Sequence, residues 1–234
     1  MSNILYLNEL SEVADCMDYK TLDVCGWIGA FHGMRNPMDS WKKSDSYVVY
    51  EDDGISFIIG PNDKKLALEL IKSGPEHCKF LRDIHVQVDV NMPRYWHSEN
   101  DTYHFNTKNS QSTMHKLLNR NTPITMSLFV TCEEDADVMN LVVDRLESLR
   151  IAFKDIQKNC SDETKTDKLN HLLVRAKRLL PEGFYQMRTI DTNYAELRMI
   201  YHQRKNHRLK EEWQDTFCRW VETLPYAKEL IIGE

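Results

Sequence analysis

Hydrophobic and polar residues alternate most strictly in "IHVQVDV" (Ile84–Val90), where Ile84, Val86, Val88 and Val90 share one face and predict a half-buried strand. Upstream, "YVVYEDDGISFIIG" (Tyr47–Gly60) has two β-rich runs around an acidic Asp-Gly turn and predicts a hairpin. "NDKKLALELIKSG" (Asn62–Gly74) predicts a short helix with Asn62 or Asp63 as N-cap and Gly74 as its stop. Beyond residue 135 the period becomes helical. Val138, Leu141, Val142, Leu146, Leu149, Phe153 and Ile156 form one stripe over Asp135–Gln157, and "KLNHLLVRAKRLLP" reads as a second helix that ends at Pro181. A third stripe runs through Leu197, Ile200 and Tyr201, and at about 100° per residue Arg204 falls on it. The next stripe, Trp213, Phe217, Trp220 and Leu224, is rotated by roughly 160° from it, so a break is predicted over Arg204–Lys210. The pattern is α+β, strand-rich over residues 20–130 and helical over 135–225, and the length suits one domain over 1–234.

Composition narrows the function classes. A formal charge of −6 argues against a general binder of nucleic acid or anionic membranes, so any anion site must be a local cluster. No stretch is apolar for long enough to span a bilayer, and "MSNILYLNELSEVADCMDYK" lacks the basic start and apolar run of a signal peptide. The six cysteines are scattered without a C-x-x-C pair, which suits reduced thiols in a cytoplasm. There is no Gly-rich phosphate loop and no H-E-x-x-H; His97, His104 and His115 lack metal-ligand spacing, so no metal site is expected.

The candidate chemistry lies in "PRYWHSENDTYHFNTKNSQSTMHKL" (Pro93–Leu117), directly after the predicted strand. Such crowding of aromatic and hydrogen-bonding side chains suits a planar, polar ligand held on a rigid scaffold. Ser112 has the type and position of a helix N-cap, and equally of a hydroxyl offered to a nucleotide; no Cys or Asp nearby makes it an activated nucleophile. "RAKRLLP" places Arg175, Lys177 and Arg178 where they complement a helix C-terminus or bind phosphate. "QRKNHRLK" is the strongest basic cluster, readable as a solvated face or an anion site. Arg204 within it must meet an anion, either an internal carboxylate or a bound ligand. "GMRNPMDSWKKSDS" (Gly33–Ser46) looks like an ordered loop that covers Met34, Met38 and Trp41, and it names no chemistry.

Three segments in order, Pro93–His115, "AKRLLP" and "HQRKNHRLKEEW", resemble the flavin-dependent thymidylate synthases, in a divergent, phage-like branch. That family has a Gln followed by Arg-His-Arg-x-x-Ser-x-Asn-x-x-Ser-x-Arg. Aligned without gaps from Pro93, Glu99 takes the Gln position and Thr102, Tyr103 and His104 take the Arg-His-Arg triplet. Thr107 takes the first Ser, Asn109 and Ser112 match, and Met114 takes the last Arg. Lys177, with Arg178 adjacent, takes the arginine of A-R-x-x-L-P; Arg204 and Glu212 match N-L-R…A-Q-x-E. "SGPEHCKF" weakly resembles a Glu-His-x-x-Phe segment of the family.

The resemblance implies an α/β fold with a central mixed or antiparallel sheet flanked by helices, assembled as a cytoplasmic homotetramer with sites between subunits. It also implies reductive methylation at C5 of a pyrimidine deoxynucleoside monophosphate, dUMP to dTMP, with methylenetetrahydrofolate as carbon donor and FAD carrying hydride from NADPH. Carried over by position, Arg204 is catalytic against the pyrimidine; Glu99, Ser112, Lys177 and Arg178 bind substrate; Tyr103, His104, Thr107 and Asn109 line the flavin. Glu99 in place of Gln suits the exocyclic amine of cytosine, where uracil has a carbonyl. A dCMP or dUMP methylase or hydroxymethylase for modified phage DNA is therefore an alternative. The altered triplet also admits a flavin-free nucleotide binder on the same scaffold.

Overall fold

The computed structural model describes residues 16–51, 54–161 and 163–233. Its centre is a four-stranded antiparallel sheet in the order β1-β4-β6-β5, made of β1 (Asp18–Cys25), β4 (His85–Pro93), β6 (Tyr185–Asn193) and β5 (Thr107–Ser110). The alternation in Ile84–Val90 is realised in β4. Val86, Val88, Val90 and Met92 are buried on one face, while His85 and Gln87 are exposed on the other. β4 is hydrogen-bonded along both edges, which makes it the rigid axis of the chain. Between Pro181 and Asn193 the sequence pattern predicts no element. It holds β6, whose residues are mostly half-buried with polar and apolar types mixed, so a period-2 signal is missing.

The predicted hairpin is β2 (Tyr47–Glu51) and β3 (Gly54–Ile58), a separate two-stranded sheet; Asp52 and Asp53 of its turn lie outside the described residues, as does most of the N-terminal segment. Between β1 and the hairpin runs α1 (Trp27–Gly33), entered through Gly26 at φ 90°, where an added Cβ would lie 1.8 Å from the Asp83 carbonyl oxygen. Phe57 of β3 packs on Trp27 and Phe31 of α1.

The following helix, α2 (Pro61–Ser73), is capped otherwise than expected. Gly60 is the N-cap, and the carboxylate of Asp45 accepts from the Asn62 and Asp63 amides at 2.9 and 3.1 Å. Asp63 turns back and accepts from Arg35 Nε (2.5 Å), Ser44 Oγ (2.6 Å) and the Ser46 amide (3.0 Å). The loop Gly33–Ser46 is thus ordered by a reciprocal clamp between Asp45 and Asp63. Met34 is buried under it, but Met38 is 82% exposed and Trp41 half-exposed, stacked on His32. Polar anchoring, rather than burial of these side chains, holds the loop.

Past β4 come α3 (Arg94–Asn100) and, after β5, the single turn α4 (Thr113–Lys116). The long helices α5 (Ala136–Asn159) and α6 (Lys165–Leu179) pack together around a second apolar cluster with Leu117, Leu118, Phe129 and Phe184. Leu146, Leu149 and Phe153 of the α5 stripe are buried there; Val138 and Leu141 lie beyond the cluster and stay exposed. The chain ends in α7 (Tyr194–Arg204), a π-helix (Lys210–Cys218) and α8 (Arg219–Glu222), then a last π-helical turn over Lys228–Ile232. The expected break is present between Arg204 and Lys210. It lets Leu197, Ile200 and Tyr201 and then Trp213, Phe217, Trp220 and Leu224 face one core. No described helix is long and apolar enough to cross a membrane.

Candidate functional site

The arginine on the apolar stripe finds its anion inside the protein. Arg204, at the last position of α7, donates from Nη1 to Glu99 Oε2 (3.1 Å) and from Nε to the Tyr103 hydroxyl (2.8 Å). Its guanidinium carbon lies 4.4 Å from the centre of the Trp213 ring, a cation–π contact on the first turn of the π-helix. Trp213 Nε1 donates to the same Glu99 oxygen at 3.0 Å, and His207 Nε2 stands 3.8 Å from it. The Tyr103 hydroxyl in turn donates to Gln203 Oε1 (3.0 Å). The Arg204 side chain is only 17% exposed. Among the described residues the hydrogen bonds of this pair run through Arg204 Nε and Nη1 and through Glu99 Oε2, leaving Nη2 and Oε1 out of them. The break after α7 creates this geometry, since it turns Trp213 and His207 back over the arginine.

The elements behind the cluster are firmly seated. His97 of α3 is fully buried and donates from Nε2 to the Gln186 carbonyl of β6 at 2.7 Å; burial, reinforced by Arg188, pulls its pKa down to about 4, so the ring is neutral. Tyr95 donates its hydroxyl to the buried carboxylate of Glu212, and burial together with that carboxylate raises the phenol and keeps it protonated. α3 is therefore pinned to the central sheet on one side and to the π-helix on the other.

A second group lies elsewhere. Ser112 caps α4 and accepts from the His115 amide at 3.2 Å. Lys177 of α6 donates to Thr113 Oγ1, and burial, then the charge of Arg94, lowers its pKa. Arg178, one residue on and about 100° around the helix, is exposed. Ser112 and Thr113 line a cleft of about 470 Å3 with Gln111, Lys116, Arg120 and Tyr185. No described contact joins this group to Arg204 or Glu99.

The residues expected at a flavin divide further. Tyr103 belongs to the Arg204 cluster, His104 is exposed, and Thr107 and Asn109 stand exposed on β5, the edge strand. Phe105, between them, is 66% exposed and opens into another cleft of about 490 Å3 between the turn after α2 and α7. Arg82 lies 5.8 Å over the Phe105 ring; Arg198, Met199 and His202 form the α7 wall. Sequence reasoning missed this cleft, although "SGPEHCKF" runs along its edge through Gly74, Pro75 and Cys78. The signal was the exposed aromatic after His104. Among the described residues no group of three His, Cys, Asp or Glu side chains is placed to hold a metal ion.

No protein-family model matches the chain, and no curated protein matches it in sequence. Solved structures do. A crystal structure of thymidylate synthase X (ThyX) from Helicobacter pylori with FAD and dUMP matches over 92% of this chain and 97% of its own, with a TM-score of 0.67 at 16% identity. A second structure of the Helicobacter pylori enzyme, also complexed with FAD and dUMP, gives a TM-score of 0.66 at 17% identity over 92% and 98%. The mixed α/β architecture, with its antiparallel sheet, is therefore the fold of these flavin-dependent thymidylate synthase structures, at 16–17% sequence identity.

Proposed function

We propose that this protein is a divergent member of the flavin-dependent thymidylate synthases, a single domain that transfers a one-carbon unit reductively to C5 of a pyrimidine deoxynucleoside monophosphate, dUMP to dTMP. Methylenetetrahydrofolate is the carbon donor, FAD the hydride carrier and NADPH the reductant. The observation that carries this reading is the held guanidinium of Arg204, on a fold whose solved examples bind FAD and dUMP. Glu99, Tyr103 and Trp213 fix the fork before any ligand arrives, so in this reading Nη2 meets negative charge developing on the pyrimidine without reorganisation. Ser112 and Lys177 supply a hydroxyl and an ammonium to the sugar and phosphate. Because they share no contact with Arg204, we take the site to be completed between subunits of a homotetramer, Ser112 of one copy facing Arg204 of another.

The Phe105 cleft fits an isoalloxazine ring. It has an exposed aromatic face, apolar walls at Leu81, Ala195 and Met199, and guanidiniums at Arg82 and Arg198 for the polar edge or the pyrophosphate. His104 directly precedes Phe105, and Thr107 and Asn109 follow it on β5. When bound, the flavin supplies the hydride chemistry; the chain's residues orient the ring and exclude water. Freshly purified protein, or protein given FAD and then freed of the excess, is expected to show flavin absorption in the visible, lost in a Phe105→Ala, Arg82→Ala variant. Protein that neither carries nor takes up flavin would contradict the redox chemistry and favour a nucleotide binder on this scaffold.

A second reading has its own support. Glu99 keeps Oε1 without a described partner while Oε2 is taken by Arg204 and Trp213, and a carboxylate oxygen accepts from the amine of cytosine. dCMP therefore belongs beside dUMP in every assay, with a hydroxymethylated product sought beside the methylated one.

A further inference from the structure

Behind the central sheet lies a small cavity of about 20 Å3, lined from β1, β4, β6, α3, α7 and the π-helix. Its walls are largely apolar, with Val88, Val90, Ile190, Leu197 and Phe217. Four other residues that line it carry a buried side-chain polar atom with no hydrogen-bond partner among the described residues. These atoms are Tyr19 Oη, Trp96 Nε1, Asn106 Oδ1 and Thr192 Oγ1. Tyr19 and Thr192 stand on the buried face of the sheet, paired with Val90 and Val86. The Tyr19 and Trp96 rings meet edge to face, their centroids 6.0 Å apart. Asn106 directly precedes β5. Buried polar atoms in folded proteins are nearly always satisfied, so four of them around one cavity point to a shared partner.

That partner must both donate and accept. The indole N–H only donates, the amide oxygen only accepts, and each hydroxyl does either. Water meets this set, and the cavity exceeds the roughly 10–15 Å3 that one water needs. From this match we propose that the cavity binds a structural water molecule, which accepts from Trp96 Nε1 and donates to Asn106 Oδ1. The hydroxyls of Tyr19 and Thr192 are its other partners. Burial holds the Tyr19 phenol protonated well above its ordinary range, so that hydroxyl stays available. The water ties α3 and the turn before β5 to β1 and β6 of the sheet. Asn106 Nδ2 donates to the Tyr103 carbonyl at 3.1 Å, so the same link steadies the residue whose hydroxyl receives Arg204.

The test is a crystal structure of the full chain, at a resolution that shows ordered water, beside thermal melts of Thr192→Val and Tyr19→Phe. The map is expected to show a peak in the cavity within hydrogen-bond distance of Trp96 Nε1 and Asn106 Oδ1. Each substitution removes one hydroxyl that bonds to no described residue, and leaves the apolar packing nearly unchanged. If the water is there, each variant deprives it of a partner and is expected to melt about 2–4 °C below the native chain. In a dry cavity the same changes delete an unpaired buried hydroxyl, and the melting temperature holds or rises. The sign of the shift therefore decides. The proposal is overturned by a native map with no peak in the cavity, or by two variants that melt at or above the native temperature.

Discussion

Replacing Arg204 by alanine is expected to lower kcat by at least about 10²-fold, roughly 2.7 kcal/mol of transition-state stabilisation, while the protein stays folded. The structure separates the two effects. Arg204 and Glu99 are partly exposed, so their ion pair contributes about 0–1 kcal/mol to stability, and the contact with Trp213 adds about as much. Trp213 is also anchored by its own hydrogen bond to Glu99 and by the buried cluster around it, so the π-helix keeps its seat. Arg204→Lys keeps the charge but loses the planar fork that bridges Glu99 and Tyr103, and is expected to be nearly as inactive. Steady-state kinetics beside a thermal melt check both statements. A soluble Arg204→Ala protein with native turnover would remove this residue from the chemistry.

The largest stability effect is expected at Asp63, whose hydrogen bonds are to Arg35, Ser44 and Ser46. This carboxylate is fully buried and is the partner of Arg35, itself 3% exposed. Burial alone would raise its pKa, but hydrogen bonds from Ser44, Ser46 and Arg35 hold it below the usual carboxylate range. Asp63→Ala leaves a buried guanidinium unpaired and releases Ser44 and the Ser46 amide, for an expected loss of about 3–5 kcal/mol. Because the folded-state pKa is depressed, the contribution of Asp63 is present in full above the unfolded value near 4. It is lost as pH falls through the lower, folded value. Urea unfolding at neutral pH measures the effect directly; a loss below about 1 kcal/mol would show that the loop is not held by this clamp.

The parts of the fold legible in the sequence are those where burial falls on one face. β4 announces itself because its two faces meet different environments. The break after Arg204 follows from two stripes that no straight helix can bury together. β6 stayed hidden because its residues are half-buried on both faces, and the cap of α2 because Asp45 arrives from another segment. Lone apolar residues misled: Met38, Val138 and Leu141 fit patterns that this chain does not bury. At the candidate site, an arginine on an apolar stripe predicts an anion, either an internal carboxylate or a bound ligand, and the partly exposed Glu99 meets it. The sequence could not say that Lys177 rather than Arg178 reaches Thr113, since adjacent residues on one helix differ only in azimuth. Nor could it place Phe105 in a cleft whose walls come from α7 and the turn after α2.

The most direct test of the central claim is the mass of the nucleotide after incubating flavin-loaded protein with dUMP, methylenetetrahydrofolate and NADPH, with a parallel reaction on dCMP. The account predicts a nucleotide heavier by one methylene unit, formed from dUMP and absent when Arg204 is alanine. A flavin-loaded, folded protein that leaves both nucleotides unchanged would contradict it.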